Sequence, residues 1–137
     1  MKQRVLFLCT GNSARSQIAE GLLRHLAGDR YDALSAGTHP VGLNPGAVAA
    51  MRELGIDISA QRSKRMDEFV DQAFDYVITV CDWAKESCPR WPHTGRLLHW
   101  SFDDPAATMG SMEEQRKAFR TVREQIKAHI EGFITAP

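Results

Sequence analysis

Residues 5–20, VLFLCTGNSARSQIAE, constrain the fold more than any other stretch. A near-continuous apolar run ends at Cys9, six small, polar or basic residues follow, and apolar residues then recur at helical spacing. A strand that is apolar on both faces must be covered on both faces, which favours a parallel sheet over a half-solvated antiparallel one. In the segment that follows, Ile18, Leu22 and Leu26 fall four apart with Ala19 and Leu23 beside them, forming one helical stripe.

The same alternation runs along the chain. Strand-like segments are expected at residues 4–8, 31–37, 75–80 and 96–100. Residues 44–55 read as a helix with Asn44 as N-cap, Pro45 in the first turn and Gly55 as the stop. In residues 111–133, Phe119, Val122, Ile126, Ile130 and Phe133 recur at three- and four-residue steps, predicting a long amphipathic final helix. Strands alternating with helices predict an α/β fold: a parallel sheet with helices on both faces. A chain of 137 residues fits a single domain over residues 1–137. Ligands of such sheets bind beyond the carboxyl ends of the strands. Cys9, Cys81 and the SFDDP segment at 101–105 all sit at such ends.

Charge excludes some partners. Lys+Arg and Asp+Glu are equal at 17 each, so there is no electrostatic reason to expect nucleic acid or an anionic membrane. No apolar run is long enough to span a bilayer. The basic start MKQR feeds a short strand and a glycine turn, and reads as a first strand rather than a signal peptide. A cytoplasmic location is expected. The three cysteines, Cys9, Cys81 and Cys88, are an odd number without a secretory signal, which argues against a structural disulfide framework.

The loop after the first strand holds Thr10, Gly11, Asn12, Ser13, Ala14 and Arg15, and Ser16 begins the helix. Such a loop can turn successive N–H groups inward, and the helix N-terminus adds further donors and positive potential. That is a cradle for a tetrahedral oxyanion. The nucleotide-binding G-x-x-x-x-G-K-[ST] pattern is absent. Arg15 can grip two oxygens with its planar fork, and the positive surroundings favour a nucleophilic thiolate at Cys9. Ser16 can donate a hydrogen bond to that sulfur. A lone cysteine at a strand end is usually core packing; C-x5-R between strand and helix points instead to chemistry.

Asp103 and Asp104 are the candidates for a general acid that protonates a leaving oxygen, a choice the resemblance below makes in favour of Asp104; the other reading is turn chemistry in Asp-Asp-Pro. Cys81 and Cys88 lie seven residues apart. On a helix they share a face but stand about 10 Å apart along the axis, too far for a disulfide, which needs Cα atoms within about 7 Å. A bond between them requires the segment to unwind. Pro89, Pro92 and Gly95 would permit that, and would leave the disulfide exposed to an external reductant. Redox chemistry competes with core packing and with zinc held together with His93 or His99, although C-x6-C is not a usual zinc spacing. No metal and no cofactor is expected. His25 and His129 read as surface or boundary residues, and His39 as an ordinary loop residue, with a place lining a loop near the site as the alternative. Trp83, Trp91 and Trp100 read as core packing, with lid contacts as the alternative.

The stretches CTGNSARSQIAEG, SAGTHPVGLNPGAVAAM, VITVCDWAKESCP and HWSFDDPA together resemble arsenate reductases of the thioredoxin-coupled branch, on the low-molecular-weight tyrosine phosphatase fold. The resemblance covers almost the whole chain, and the pair Cys81 and Cys88 marks the reductases. It implies a four-stranded parallel sheet with flanking helices. It also implies arsenate in the loop from residue 10 to 15 (phosphate or sulfate as analogues), attack by Cys9, acid assistance by Asp104, and a relay through Cys81 and Cys88. Thioredoxin is the implied reductant, with glutaredoxin or a small thiol as alternatives, and a monomer is expected. Relatives often carry a cysteine where Ala14 stands. Some bind potassium through residues matching Asn12, Glu20, Ser35 and an acid; here Lys64 takes the acid's place and is expected to pair with Glu20, making potassium unnecessary. Two other readings compete. A low-molecular-weight tyrosine phosphatase needs only Cys9, Arg15 and Asp104, though Ala106 and Ala107 replace the aromatics expected beside its substrate. A non-catalytic oxyanion or redox sensor would bind without turnover.

Overall fold

Four strands form one parallel sheet: β1 (Gln3–Cys9), β2 (Tyr31–Gly37), β3 (Tyr76–Thr79) and β4 (Arg96–His99), in the order β2-β1-β3-β4. The helices are α1 (Arg15–Ala27), α2 (Pro45–Arg52) and α3 (Met112–Thr135), with 3-10 turns at Met66–Phe69 and Pro105–Ala107. The structure, a computed structural model, describes residues 2–82 and 95–136. Cys88, Trp83, Trp91, Pro89, Pro92 and His93 lie outside the described residues.

The side chains of β1 from Val5 to Cys9 are all buried, as a strand covered on both faces requires. The two faces have different covers. Val5, Phe7, Ile78 and Val80 face α1, α2 and α3 through Ile18, Leu22, Met51, Phe119, Val122 and Ile126. Leu6, Leu8, Ala36 and Val77 face the Met66–Phe69 turn, where Phe69 and Phe74 pack edge to face. Burying each large side chain of this core contributes about 1.5–3 kcal/mol. Trp100 belongs to the packing, against Phe7, Phe133 and His129.

Local signals explain the helix ends. Asn44 Oδ1 accepts the Gly46 N–H at 2.7 Å, and Pro45 occupies the first turn. Gly55 adopts φ +76°, the left-handed conformation that ends the segment, although regular helix stops at Arg52. Ser111 and Glu114 form a reciprocal capping box at the start of α3. One stripe position departs from expectation. Leu26 is 37% exposed, while Ala27, four residues after the buried Leu23, takes the inward position.

The order β2-β1-β3 means that the chain leaves β1 toward one side for β2 and later returns to the other side for β3. The C-terminal end of β1 is therefore a topological switch point, where an open parallel sheet leaves a crevice. The C-x5-R loop begins there.

Candidate active site

The loop is held from behind by its carbonyls. Thr10 O accepts the His39 N–H at 2.9 Å, Gly11 O the Val41 N–H at 3.1 Å, and Ser13 O the Asn44 N–H at 3.1 Å. Asn12 O accepts from Ser63 Oγ at 2.8 Å and from Gln17 Nε2 at 3.0 Å. With four consecutive carbonyls tied to surrounding segments, the loop's amides are free to point the other way. Asn12 adopts φ +44°, the left-handed turn that lets neighbouring N–H groups converge. The result is an anion nest at the N-terminus of α1.

Cys9 is a free thiol, buried at the floor of this nest. The Asn12 N–H donates to its sulfur at 3.2 Å, and Ser16 Oγ lies 2.9 Å from it. Ser16 Oγ also accepts from Asn12 Nδ2 at 2.8 Å, which leaves its own proton for the sulfur. Two hydrogen-bond donors thus converge on one sulfur.

Arg15 is only 5% exposed, and its Nη1 donates to Phe102 O at 3.2 Å. Its Nη2 lies 3.9 Å from Asp104 Oδ2, a weak, partly solvated pair. Asp104 caps its own turn, Oδ1 accepting the Ala106 N–H at 3.0 Å. The turn reading and the acid reading of Asp104 are thus compatible: the turn fixes the carboxyl and leaves Oδ2 facing the guanidinium. The structure brings Cys9, residues 10–16 and Asp104 together.

Cys81 follows β3, next to β1; the Val80 N–H donates to Leu8 O at 2.9 Å, extending the register toward the nest. Cys81 is disulfide-bonded, to a partner outside the described residues, and is fully buried. The expected exposure of a Cys81–Cys88 disulfide involves Cys88, which lies outside the described residues. Asp82 acts on His99, whose pKa burial pushes down and Asp82 pulls back up.

Behind the nest, Glu20 is buried and receives Ser35 Oγ, Arg24 Nη2 at 2.7 Å and Lys64 Nζ at 3.6 Å. The expected Lys64–Glu20 pair is present. Burial lowers the Lys64 pKa, and the Glu20 charge opposes that shift. Lys64 also holds the loop through its backbone, its N–H reaching Asn12 Oδ1 at 2.8 Å.

Several supports were not anticipated. His39, read as an ordinary loop residue, clamps the nest through its backbone. Gln17 is fully buried and binds Asn12 O, Asn12 Oδ1 and Arg62 O, all at 3.0 Å. Its one signal is a polar residue between the loop and the apolar stripe. Gly37 lets β2 approach: a Cβ there would sit 2.5 Å from Thr10 O and 2.8 Å from Cys9 O. Among the described residues, no three His, Cys, Asp or Glu side chains group as a metal site.

Fold and site together define an α/β protein that presents a thiol and a guanidinium across one loop at the end of its first strand. A family model matches residues 4–136, and the chain belongs to the low molecular weight phosphotyrosine protein phosphatase family. Within that family it is similar to an arsenate reductase of Halalkalibacterium halodurans, at 47% identity over 96% of this chain and 95% of that protein. A solved structure described as an arsenate reductase in the phosphate binding state superposes with TM-score 0.82 at 34% identity, covering 96% of both chains. A thioredoxin-dependent arsenate reductase of Corynebacterium glutamicum superposes with TM-score 0.73 at 30% identity, over 97% of this chain and 60% of that one.

Proposed function

We propose that this protein reduces arsenate to arsenite by a three-cysteine relay recharged by thioredoxin. The observation that carries the reading is the juxtaposition of two buried cysteines, Cys9 in the anion nest and Cys81 just past the end of the adjacent strand β3. The arsenate reductase relatives support the same reading.

In the proposed sequence, arsenate occupies the nest, held by loop N–H groups and by Arg15. The Cys9 thiolate attacks arsenic, and an oxygen leaves as water with a proton from Asp104. Cys81 thiolate then attacks the Cys9 sulfur. The S–S bond forms as the S–As bond breaks, and its electron pair stays on arsenic, reducing As(V) to As(III). Cys88 attacks Cys81 and frees Cys9, leaving a Cys81–Cys88 disulfide. A reductant dithiol closes the cycle. We place the reaction in the cytoplasm, carried out by a monomer with no cofactor beyond the protein's own thiols.

The test is arsenate-dependent NADPH oxidation with thioredoxin and thioredoxin reductase, comparing wild type with Cys88→Ala. Turnover that collapses in the variant supports relay and electron source together. Aryl phosphate hydrolysis that survives Cys88→Ala, with no arsenate turnover by wild type, would instead make the protein a phosphatase.

A further inference from the structure

A cavity of about 770 Å³ opens between α2, the Pro105–Ala107 turn and the first turns of α3. No residue of the anion nest lines it. Its size falls in the range of small-molecule sites, about 300–1,000 Å³. Small side chains make the room, notably Ala49 and Ala106, and Phe119 forms an apolar floor. Met109 and Met112, 85% and 70% exposed, stand at its edge as adaptable apolar contacts.

The charges in the wall are unequal. Arg120 is engaged by Glu53, at 3.0 Å through Nε and 2.7 Å through Nη2, and Glu53 also takes Arg123 Nη1 at 2.7 Å. Glu53 is thus shared by two guanidiniums, of which Arg123 also takes Glu124 at 2.8 Å. Arg116, four residues before Arg120 on the same helix face, also lines the cavity and has no ion pair among the described residues. An apolar chamber with one uncommitted guanidinium selects an apolar body carrying one negative charge.

We propose that this cavity is a second binding site, separate from the anion nest, for a small apolar molecule with a single carboxylate or sulfonate group. Such a molecule touches Ala106, whose N–H holds Asp104 Oδ1. The site thus lies against the turn that carries the acid.

The probe is 8-anilinonaphthalene-1-sulfonate, titrated into the full chain and followed by fluorescence. The expected result is saturable one-to-one binding that saturating inorganic phosphate does not displace. Filling the chamber with Ala106→Phe or Ala49→Trp should weaken binding by about tenfold or more, and Arg116→Gln by about threefold. Uncharged N-phenyl-1-naphthylamine should bind more weakly and be indifferent to Arg116→Gln. Circular dichroism melts verify that each variant is folded. Absent saturation, displacement by phosphate, or full affinity in both filled variants would overturn the site. Equal affinity for the charged and uncharged probes would overturn the charge requirement.

Discussion

Replacing Gly37 by alanine tests whether the nest is shaped by the close approach of β2. The added Cβ would lie 2.5 Å from Thr10 O, 2.8 Å from Cys9 O and 2.9 Å from Asn12 N, all inside the 3.0 Å that real Cβ contacts respect. All three are backbone atoms, so no side chain can swing aside. Nor can β2 slide, since Gly37 is in register with Cys9 and its N–H donates to Lys64 O at 2.8 Å. Overpacking of this kind costs about 1–3 kcal/mol, which multiplies the unfolded fraction by roughly five- to 150-fold. Thr10 and Asn12 are the atoms displaced, so phosphate affinity should fall as well, by about tenfold or more. Urea melts give the first quantity and calorimetric phosphate titration the second. Gly132→Ala is the control: nothing lies within 4 Å of its Cβ, and in α3 the change should stabilise by about 0.5–1 kcal/mol. A Gly37→Ala protein with wild-type melting and wild-type phosphate affinity would refute the close-approach argument.

Three further outcomes are expected. Ser16→Ala removes the hydroxyl 2.9 Å from the Cys9 sulfur, a hydrogen bond of about 0.5–1.5 kcal/mol, so Cys9 alkylation should slow by roughly two- to tenfold; an unchanged rate would show that the hydroxyl does not assist the sulfur. Asp104→Asn should retain phosphate binding but lose about 10²–10⁴ in arsenate turnover, measured in the coupled NADPH assay. Glu53 is held down to a pKa of about 2 from 4.5, first by hydrogen bonds from Arg120 and Arg123. Its contribution to stability is therefore present above pH 4.5 and lost as pH falls toward 2. Glu53→Gln should flatten the pH dependence of the urea midpoint across that window, and an unchanged slope would show that the pair contributes nothing.

Much of the architecture was readable because local chemistry and global fold agree. The apolar run of β1, the Asn44-Pro45 cap and the stripe of α3 each state their role within a few residues. The nest was readable for the same reason: residues 9–16 are contiguous, and a thiol, a glycine turn and an arginine at that spacing have one obvious joint use. Leu26 shows the limit of periodicity, which gives a face but not which of its positions the neighbouring layer covers. Gln17, Gly37 and the backbone of His39 were not readable as parts of the site. Their partners lie across the chain, and a backbone hydrogen bond leaves no mark on side-chain identity.

The sequence by itself determined the parallel α/β class, the thiol-and-guanidinium loop and the candidate acid, because these follow from residue type and short-range spacing. Only the tertiary structure decided which way the loop's amides face. The carbonyls of Thr10, Gly11 and Ser13 are turned outward by amides of His39, Val41 and Asn44, and Asn12 is pinned by Gln17, Ser63 and Lys64. Each of these hydrogen bonds offsets the loop's conformational entropy only after β2 and the residue 63–64 segment have packed beside β1. The chamber beside Asp104 is tertiary for the same reason: α2, the acid turn and α3 each contribute one wall, and no single stretch of chain encloses it.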